Sequence, residues 1–209
     1  QKVERNYIGV SGGIMDQMIS SIGVQGKAFF LDCLTLKFEL IELPKDYCFE
    51  LVDSDIQRDN RNSAYNERHD QLKKAEEILN ANNLGSVKID QLDKNKFDDE
   101  LIYKRALHVV TENKRTLEAK NCLIKKDMKQ FGHLMNLSHL SYSKDFEAST
   151  TDVDILTKRS VESGAIGCRL TGGGFGGFTV SLIEKKYYDN WYNKMLGFYS
   201  KNKFLKFKD

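Results

Sequence analysis

The architecture follows from one stretch, Cys168-Arg169-Leu170-Thr171-Gly172-Gly173-Gly174-Phe175-Gly176-Gly177, and from Phe178-Thr179-Val180-Ser181-Leu182-Ile183 directly after it. Apolar and β-branched residues stand on both sides of a glycine-rich segment, which predicts two strands joined by a glycine loop, Gly172–Gly177. Glycine costs about 1 kcal/mol of backbone entropy relative to alanine within regular structure. The glycines therefore serve either a tight hairpin turn or the close approach of another group.

The glycine loop differs from two well-known nucleotide-binding patterns. It is not followed by Lys and then Ser or Thr, as a Walker A loop requires. It lies between predicted strands and lacks the downstream acidic residue of a dinucleotide-binding β-α-β unit. Taken without any comparison, the sequence leaves the hairpin turn and the ligand-binding loop equally open.

Hydrophobic patterns around the loop predict an α+β fold. Strands are predicted at 49–53, 168–171, 178–183 and, at a sheet edge, 203–208. Helices are predicted at 65–82, 99–123, 128–142, 152–163 and 187–199, and the stretch 54–63 is predicted to be a loop. We expect Thr151 or Asp152 to cap the fourth helix and Gly164 to end it. Asn113 interrupts the apolar stripe of the second helix, and we expect a structural hydrogen bond there rather than a ligand contact.

The first 45 residues are expected to belong to a different domain from the rest of the chain. They contain a short helix around Asp16 and a strand pair at 28–32 and 36–41, which ends at Pro44, the sole proline of the chain. A boundary near Pro44 to Asp46 would divide the chain into a partial domain, 1–45, and a second domain, 46–209.

A second glycine-containing stretch, Gly12-Gly13-Ile14-Met15-Asp16-Gln17, opens the first helix. Asp16 falls in the first helical turn, where backbone N–H groups point outward and favour an anionic ligand nearby. Its carboxylate could meet such a ligand, or it could simply cap the helix while the glycines form a tight turn. Considered alone, this stretch favours the capping role.

Composition excludes several functions. The chain has 209 residues and a formal net charge of +2, which gives little attraction for nucleic acid, and it has no apolar run of the ~18 to 20 residues that span a membrane. Its four cysteines are scattered without a Cys-x-x-Cys pair, so they predict neither a zinc site nor a disulfide framework. Its four histidines lack ligand spacing and are expected to be packing or surface residues.

Together, Gly9–Gln17 and Arg169–Gly177 resemble two signatures of galactokinases, which are members of the GHMP small-molecule kinase family. Further similar blocks follow the family's order at 63–68, 105–113 and 145–149. The resemblance implies the end of the GHMP kinase N-terminal domain followed by its ferredoxin-like C-terminal domain, with the active site in the cleft between them. It also implies ATP-dependent phosphorylation of galactose at the 1-hydroxyl, with galactose and ATP as ligands and Mg²⁺ as cofactor, in a cytoplasmic monomer.

The resemblance also implies roles for individual residues. Asp16 matches the acid that accepts the proton of the sugar hydroxyl or orients it. Gly13 and Tyr65 match positions that contact the sugar, and Arg58 matches a basic position that faces the active site. Glu4 matches the glutamate that coordinates Mg²⁺. Gly172, Gly173, Gly174, Gly176 and Gly177 match the loop that shapes the phosphate site.

Two classes of function fit these motifs, a galactose kinase and a galactokinase-like sugar and ATP sensor that regulates transcription. The retained Asp16 favours the enzyme. The family's sugar signature and phosphate loop precede the stretch Gly9–Gln17, and neither occurs in this chain. We therefore expect a C-terminal portion that lacks kinase activity by itself.

Overall fold

The computed structural model of the chain describes residues 13–56 and 61–206. Its helices are α1 (Met15–Ile22), α2 (Arg61–Ile78), α3 (Glu100–Lys125), α4 (Met128–Lys144), α5 (Thr151–Ser163) and α6 (Tyr188–Leu196). Its strands are β1 (Lys27–Leu31), β2 (Phe38–Glu42), β3 (Tyr47–Asp53), β4 (Gly167–Leu170), β5 (Phe178–Glu184) and β6 (Phe204–Lys206).

Four strands form one antiparallel sheet in the spatial order β4-β5-β3-β6. The helices α2 to α5 connect β3 to β4, and α6 connects β5 to β6. With the four helices counted as one connection, the chain follows the β-α-β-β-α-β order of the ferredoxin-like motif. The expected α+β fold with a ferredoxin-like domain is confirmed, and β6 is the predicted edge strand.

The pleat of the sheet directs alternate side chains into two separate cores. On one face, Val52 and Ile183 pack against α5 and α6, including the fully buried Trp191. On the other face, Leu182 packs against α4 and against Ile41 of β2. Because both faces are covered, the adjacent residues Leu182 and Ile183 are both buried.

The strands β1 and β2 form the predicted antiparallel pair, with Lys27 opposite Glu42. The inner side of this hairpin joins the second core through Ile41, together with the partly buried Ala28 and Phe30. By contrast, α1 has no buried residue. The domain boundary near Pro44 stays a prediction.

The helix α2 begins and ends four residues earlier than predicted, so residues 61–63 are helical and not part of the predicted loop. The helix ends where it does because Asn80 has a left-handed φ of 50° and the N–H of Ala81 donates to the carbonyl of Glu76 at 2.9 Å. Asn83, in the predicted stop signal, instead precedes a short 3₁₀ turn, Leu84–Ser86, and its side chain accepts a hydrogen bond from the N–H of Gly85.

Two further helix ends differ from the prediction. The N-cap of α5 is Thr150, not Thr151 or Asp152, because the Thr150 hydroxyl accepts a hydrogen bond from the N–H of Val153 at 3.3 Å. The predicted end at Gly164 is confirmed. The helix α6 is shorter than 187–199, because a 3₁₀ turn at Lys185–Tyr187 precedes it and Gly197 ends it.

The structural interpretation of Asn113 is confirmed. Its side-chain Nδ2 donates to the carbonyl of Gly85 at 2.7 Å, which ties α3 to the preceding 3₁₀ turn. The predicted apolar stripe is less buried than expected at its end, because Leu117 is 48% exposed.

Candidate functional site

The glycine loop lies between β4 and β5 and has an unusual backbone. Its φ angle is positive at Gly172, Gly174, Phe175, Gly176 and Gly177. Glycine reaches this region without steric cost, whereas most other residues are strained there. The loop closes through a hydrogen bond from the N–H of Thr171 to the carbonyl of Phe178 at 2.9 Å. The turn geometry therefore explains four of the five glycines.

The surroundings of the loop divide its glycines into two groups. A Cβ atom at Gly174 would lie 2.5 Å from the carbonyl oxygen of Ala148, and one at Gly176 would lie 2.9 Å from Cβ of Ile56. These two glycines are buried because protein atoms approach them closely. Gly172 is exposed, and a Cβ atom there would meet nothing within 4 Å. The first part of the loop is thus open to a ligand, and the second part is packed.

The structure brings Tyr65 to the open part of the loop. Tyr65 lies in the second turn of α2, and its ring carbons would be 3.8 Å from a Cβ atom at Gly173. On another side of the loop, the hydroxyl of Tyr142 donates to the carbonyl of Gly172, with 3.5 Å between the two oxygens. Burial raises the pKa of Tyr142 to about 12, so this phenol keeps its proton at neutral pH.

Asp16 lies in the first turn of α1 and is exposed. The N-cap of this helix is Ile14, which makes no side-chain capping hydrogen bond, so Asp16 is not the N-cap residue. Within residues 13–56 and 61–206, the structure shows no hydrogen bond or ion pair of the Asp16 carboxylate. A Cβ atom at the exposed Gly13 would also meet nothing within 4 Å. Gly13 and Asp16 are thus both exposed.

Two residues expected at the site, Glu4 and Arg58, lie outside the described residues. Among the residues that are described, no group of three or more His, Cys, Asp or Glu side chains is arranged to hold a metal ion. The four cysteines, all within the described ranges, form no disulfide. No helix in the described ranges is both long enough and apolar enough to cross a membrane.

A cluster of charged side chains lies beside β4, the strand that leads into the glycine loop. Arg169 of β4 donates to the Glu112 carboxylate at 3.2 Å, and Arg115 and Ser138 also donate to it. Burial raises the pKa of Glu112, but Arg169, Ser138 and Arg115 lower it more, so that it lies below its ordinary value. Glu112 therefore stays ionised and holds β4 against α3 and α4.

The residues that support the glycine loop are not among those that the motifs predicted. The carbonyl of Ala148 accepts a hydrogen bond from the N–H of Phe175, at the centre of the loop, at 2.7 Å. Arg68 and Arg105 in turn bind the segment just before Ala148. Each of these residues lies in one of the motif blocks at 63–68, 105–113 and 145–149. The signal was therefore present, but nothing in the sequence indicated that the three blocks meet at one loop.

Residues 119–199 match the family described as GHMP kinases C terminal. Along most of its length the chain is similar to galactokinases. It is 36% identical to the galactokinase of Levilactobacillus brevis, a match that covers 88% of this chain and 50% of the relative. It is 38% identical to the galactokinase of Fusobacterium nucleatum, which covers 91% of this chain and 51% of the relative.

A solved structure gives the same result for the fold. The crystal structure of Lactococcus lactis galactokinase complexed with galactose superposes with a TM-score of 0.88 and 32% sequence identity. The match covers 93% of this chain and 52% of the galactokinase chain. The chain thus spans about half the length of the relatives it matches.

Proposed function

We propose that this chain is the C-terminal portion of a galactokinase, which transfers a phosphoryl group from ATP to the 1-hydroxyl of galactose. The similarity to galactokinases over about nine-tenths of the chain supports the reaction class. One observation carries the assignment of the site: α2 holds Tyr65 against Gly173. The residue expected to contact the sugar therefore lies beside the loop expected to contact phosphate.

The open part of the glycine loop suits a phosphate group. Gly172 and Gly173 are exposed, and no side chain of their own hinders an approach to their backbone N–H groups. Backbone N–H groups in turns that alternate between right- and left-handed residues form concave sites for anions. Phosphoryl transfer depends mainly on such positioning and on neutralising the charge of the phosphates.

Asp16 is the proposed catalytic residue. Its exposed carboxylate is accessible to the sugar hydroxyl, which it would orient and whose proton it would accept. A carboxylate is a weak base for a sugar hydroxyl, so the proton moves late, after the bond between the γ-phosphoryl group and the ADP leaving group has loosened. Gly13 would contact the sugar through its backbone, and Arg58 would supply a positive charge that faces the site.

Mg²⁺ is the proposed cofactor, with Glu4 as its protein ligand. Mg²⁺ is usually held by one or two carboxylates together with phosphate oxygens and water, so a kinase site needs no cluster of three protein ligands. The carboxylate of Glu4 is a hard oxygen donor of the kind that Mg²⁺ prefers. When bound, the ion neutralises charge on the phosphates of ATP.

The remaining parts of the proposal concern the whole protein. We place the adenine pocket and a phosphate loop in a part of the protein that corresponds to the half of each relative's sequence that this chain does not match. We place the domain boundary near residue 45. The enzyme would act as a cytoplasmic monomer. The chain by itself would then be inactive as a kinase.

Substitution of Asp16 tests the proposal in a complete kinase polypeptide that carries this chain. Asp16→Asn keeps the volume of the side chain but cannot accept the proton, so kcat should fall by at least about 100-fold, with ATP binding close to that of the wild type. Steady-state kinetics and a measured free energy of unfolding give the result. In contrast, Tyr65→Phe should chiefly raise the KM for galactose, through the loss of one hydrogen bond worth about 1 kcal/mol.

Asp16 is exposed and is not the N-cap of α1, so a purely structural Asp16 would tolerate the change to Asn. A stable Asp16→Asn enzyme with normal turnover would therefore exclude the catalytic role. Absence of galactose phosphorylation by the wild-type polypeptide would exclude the proposed reaction.

A further inference from the structure

Four consecutive carbonyl groups, those of residues 145 to 148, are each bound from outside their own segment. Arg105 of α3 donates through Nη1 to the carbonyl of Asp145. Arg68 of α2 donates to the next two carbonyls, through Nε to Phe146 at 2.8 Å and through Nη2 to Glu147 at 3.2 Å. The fourth carbonyl, of Ala148, accepts the N–H of Phe175 in the glycine loop at 2.7 Å. The segment 145–148 therefore links two arginines to the loop.

The side chain of Arg105 binds this segment and also Gln71 of α2. Its side chain is 1% exposed, and beyond the bond to the Asp145 carbonyl it donates through Nη2 to the Glu147 carboxylate at 2.7 Å and through Nε to Gln71 at 3.0 Å. A planar guanidinium offers donors in fixed directions, so one side chain can hold three acceptors at once. A lysine has the same charge but cannot reproduce that arrangement.

Glu147 is held in a strained conformation. Its φ angle is 51°, in the left-handed region that residues other than glycine rarely adopt. Such a conformation persists where the surrounding structure fixes it, and strained residues of this kind concentrate at functional sites. Here the side chain of Glu147 binds Arg105 and its carbonyl binds Arg68, so both arginines fix the turn that directs the Ala148 carbonyl toward the loop.

The glycine loop needs this external support. A segment with five glycines has many accessible backbone conformations and no side chains to restrict them. Its one larger residue, Phe175, is bound on two sides, by the Ala148 carbonyl and by the Arg68 guanidinium, which lies 5.9 Å from the centre of its ring. Arg68 follows Tyr65 by three residues on α2, so one face of this helix carries both the ring beside Gly173 and the guanidinium that binds the segment 145–148.

We infer that Arg68 and Arg105 are positioning residues that fix the glycine loop relative to Tyr65. Through the segment 145–148 they hold the open backbone of Gly172 and Gly173 where the transferred phosphoryl group binds. This inference rests on the proposed kinase function. It adds that the geometry of the phosphate site depends on two arginines that contact neither substrate.

The test uses Arg105→Lys in a complete kinase polypeptide that carries this chain, with Arg159→Lys as the matched control. Arg159 is a partly buried arginine whose guanidinium packs on the ring of Phe198. A misplacement of about 1 Å at a reacting group can cost on the order of 100-fold in rate. We expect Arg105→Lys to lower kcat at least about tenfold per folded molecule, with the KM for galactose within about twofold of the wild type. The control should keep its kcat.

Hydrogen exchange provides the second measurement. In Arg105→Lys the peptide 171–178 should exchange faster, while peptides of β3 and α6 exchange as in the wild type. A normal kcat, or a lower kcat without faster exchange in this peptide, would overturn the inference, as would an equal loss of kcat in Arg159→Lys. If Arg105→Lys does not fold, Arg68→Lys gives the same test, because it removes the donors to Phe146 and Glu147 and leaves Arg105 in place.

The two proposals can fail separately. If the wild-type polypeptide does not phosphorylate galactose, the proposed function is wrong, and the exchange of peptide 171–178 still decides the positioning role. Faster exchange in Arg105→Lys alone supports it, and unchanged exchange refutes it.

Discussion

At the scale of single residues, His108 shows how burial controls charge in this chain. It is 6% exposed, its Nδ1 lies 3.0 Å from the hydroxyl of Ser141, and its ring centre lies 4.8 Å from that of Phe146. Burial lowers the pKa of His108 to about 4, an effect that the nearby carboxylate of Glu112 only partly offsets. The imidazole is therefore neutral at pH 7 and acts as a packing residue, in agreement with the sequence-based expectation for the histidines.

This lowered pKa predicts a pH dependence of stability. The unfolded chain binds a proton at His108 below pH 6.5, whereas the folded chain does not bind it until about pH 4. The free energy of unfolding is therefore highest above pH 6.5 and falls as the pH drops toward 4. Protonation of His108 alone should lower the free energy of unfolding by about 2 kcal/mol between pH 7 and pH 5. Urea denaturation at both pH values measures this loss, and His108→Gln should reduce the difference by about that amount.

The comparison of two pH values cancels any loss of packing caused by the substitution itself. His139 is also buried with a lowered pKa, so some pH dependence should remain in His108→Gln. A pH dependence that is the same in wild type and His108→Gln would contradict the prediction.

At the scale of elements, the N-terminus of α5 depends on one hydroxyl. Thr150 accepts a hydrogen bond from the N–H of Val153, and the next residue, Thr151, is exposed in the first helical turn. Thr150→Ala should lower the free energy of unfolding by about 1 kcal/mol, the usual cost of losing an N-cap side chain. Thr151→Ala should have almost no effect, because alanine has the higher helix propensity and no capping bond is lost. Equal losses in the two variants, measured by urea denaturation, would show that the cap is assigned wrongly.

The same helix ends mark the limit of what the sequence could predict. The existence and order of the helices and strands followed from hydrophobic periodicity, because a buried face imposes its repeat on many residues. The C-terminus of α2 and the N-terminus of α5 did not, because one left-handed residue, Asn80, and one hydrogen bond accepted by the Thr150 hydroxyl determine them. Several polar residues near each end were equally good candidates by sequence.

The arrangement of the candidate site could be predicted from the sequence only in part. The glycine loop and Tyr65 were identified by motif, and the structure brings them together. The roles of Arg68 and Arg105 could not be predicted, because their partners lie 78 and 40 residues away along the chain. Only the packing of α2, α3 and the segment after α4 shows that these residues share one network.

At the scale of the whole molecule, the elements differ in how much of their apolar surface is buried by the rest of the chain. The sheet is covered on both faces, and the β1–β2 hairpin is attached to it through Ile41. The helix α1 has eight residues, none of them buried, although Met15 and Ile19 are apolar and are 54% and 39% exposed. The chain also spans about half the length of its galactokinase relatives. We therefore expect that α1 depends on contacts with the part of such a protein that this chain does not contain.

Hydrogen exchange tests this dependence. Isolated helices shorter than about 12 to 15 residues are marginal in water, so an eight-residue helix without buried side chains should open freely. In the 209-residue chain, the amides of α1 should exchange nearly as fast as an unfolded peptide, those of β1 and β2 more slowly, and those of β3 and β5 most slowly. In a complete kinase polypeptide the α1 amides should become protected while the protection of β5 stays the same. Slow exchange of α1 in the 209-residue chain would show that the contacts within this chain already stabilise the helix that carries Asp16.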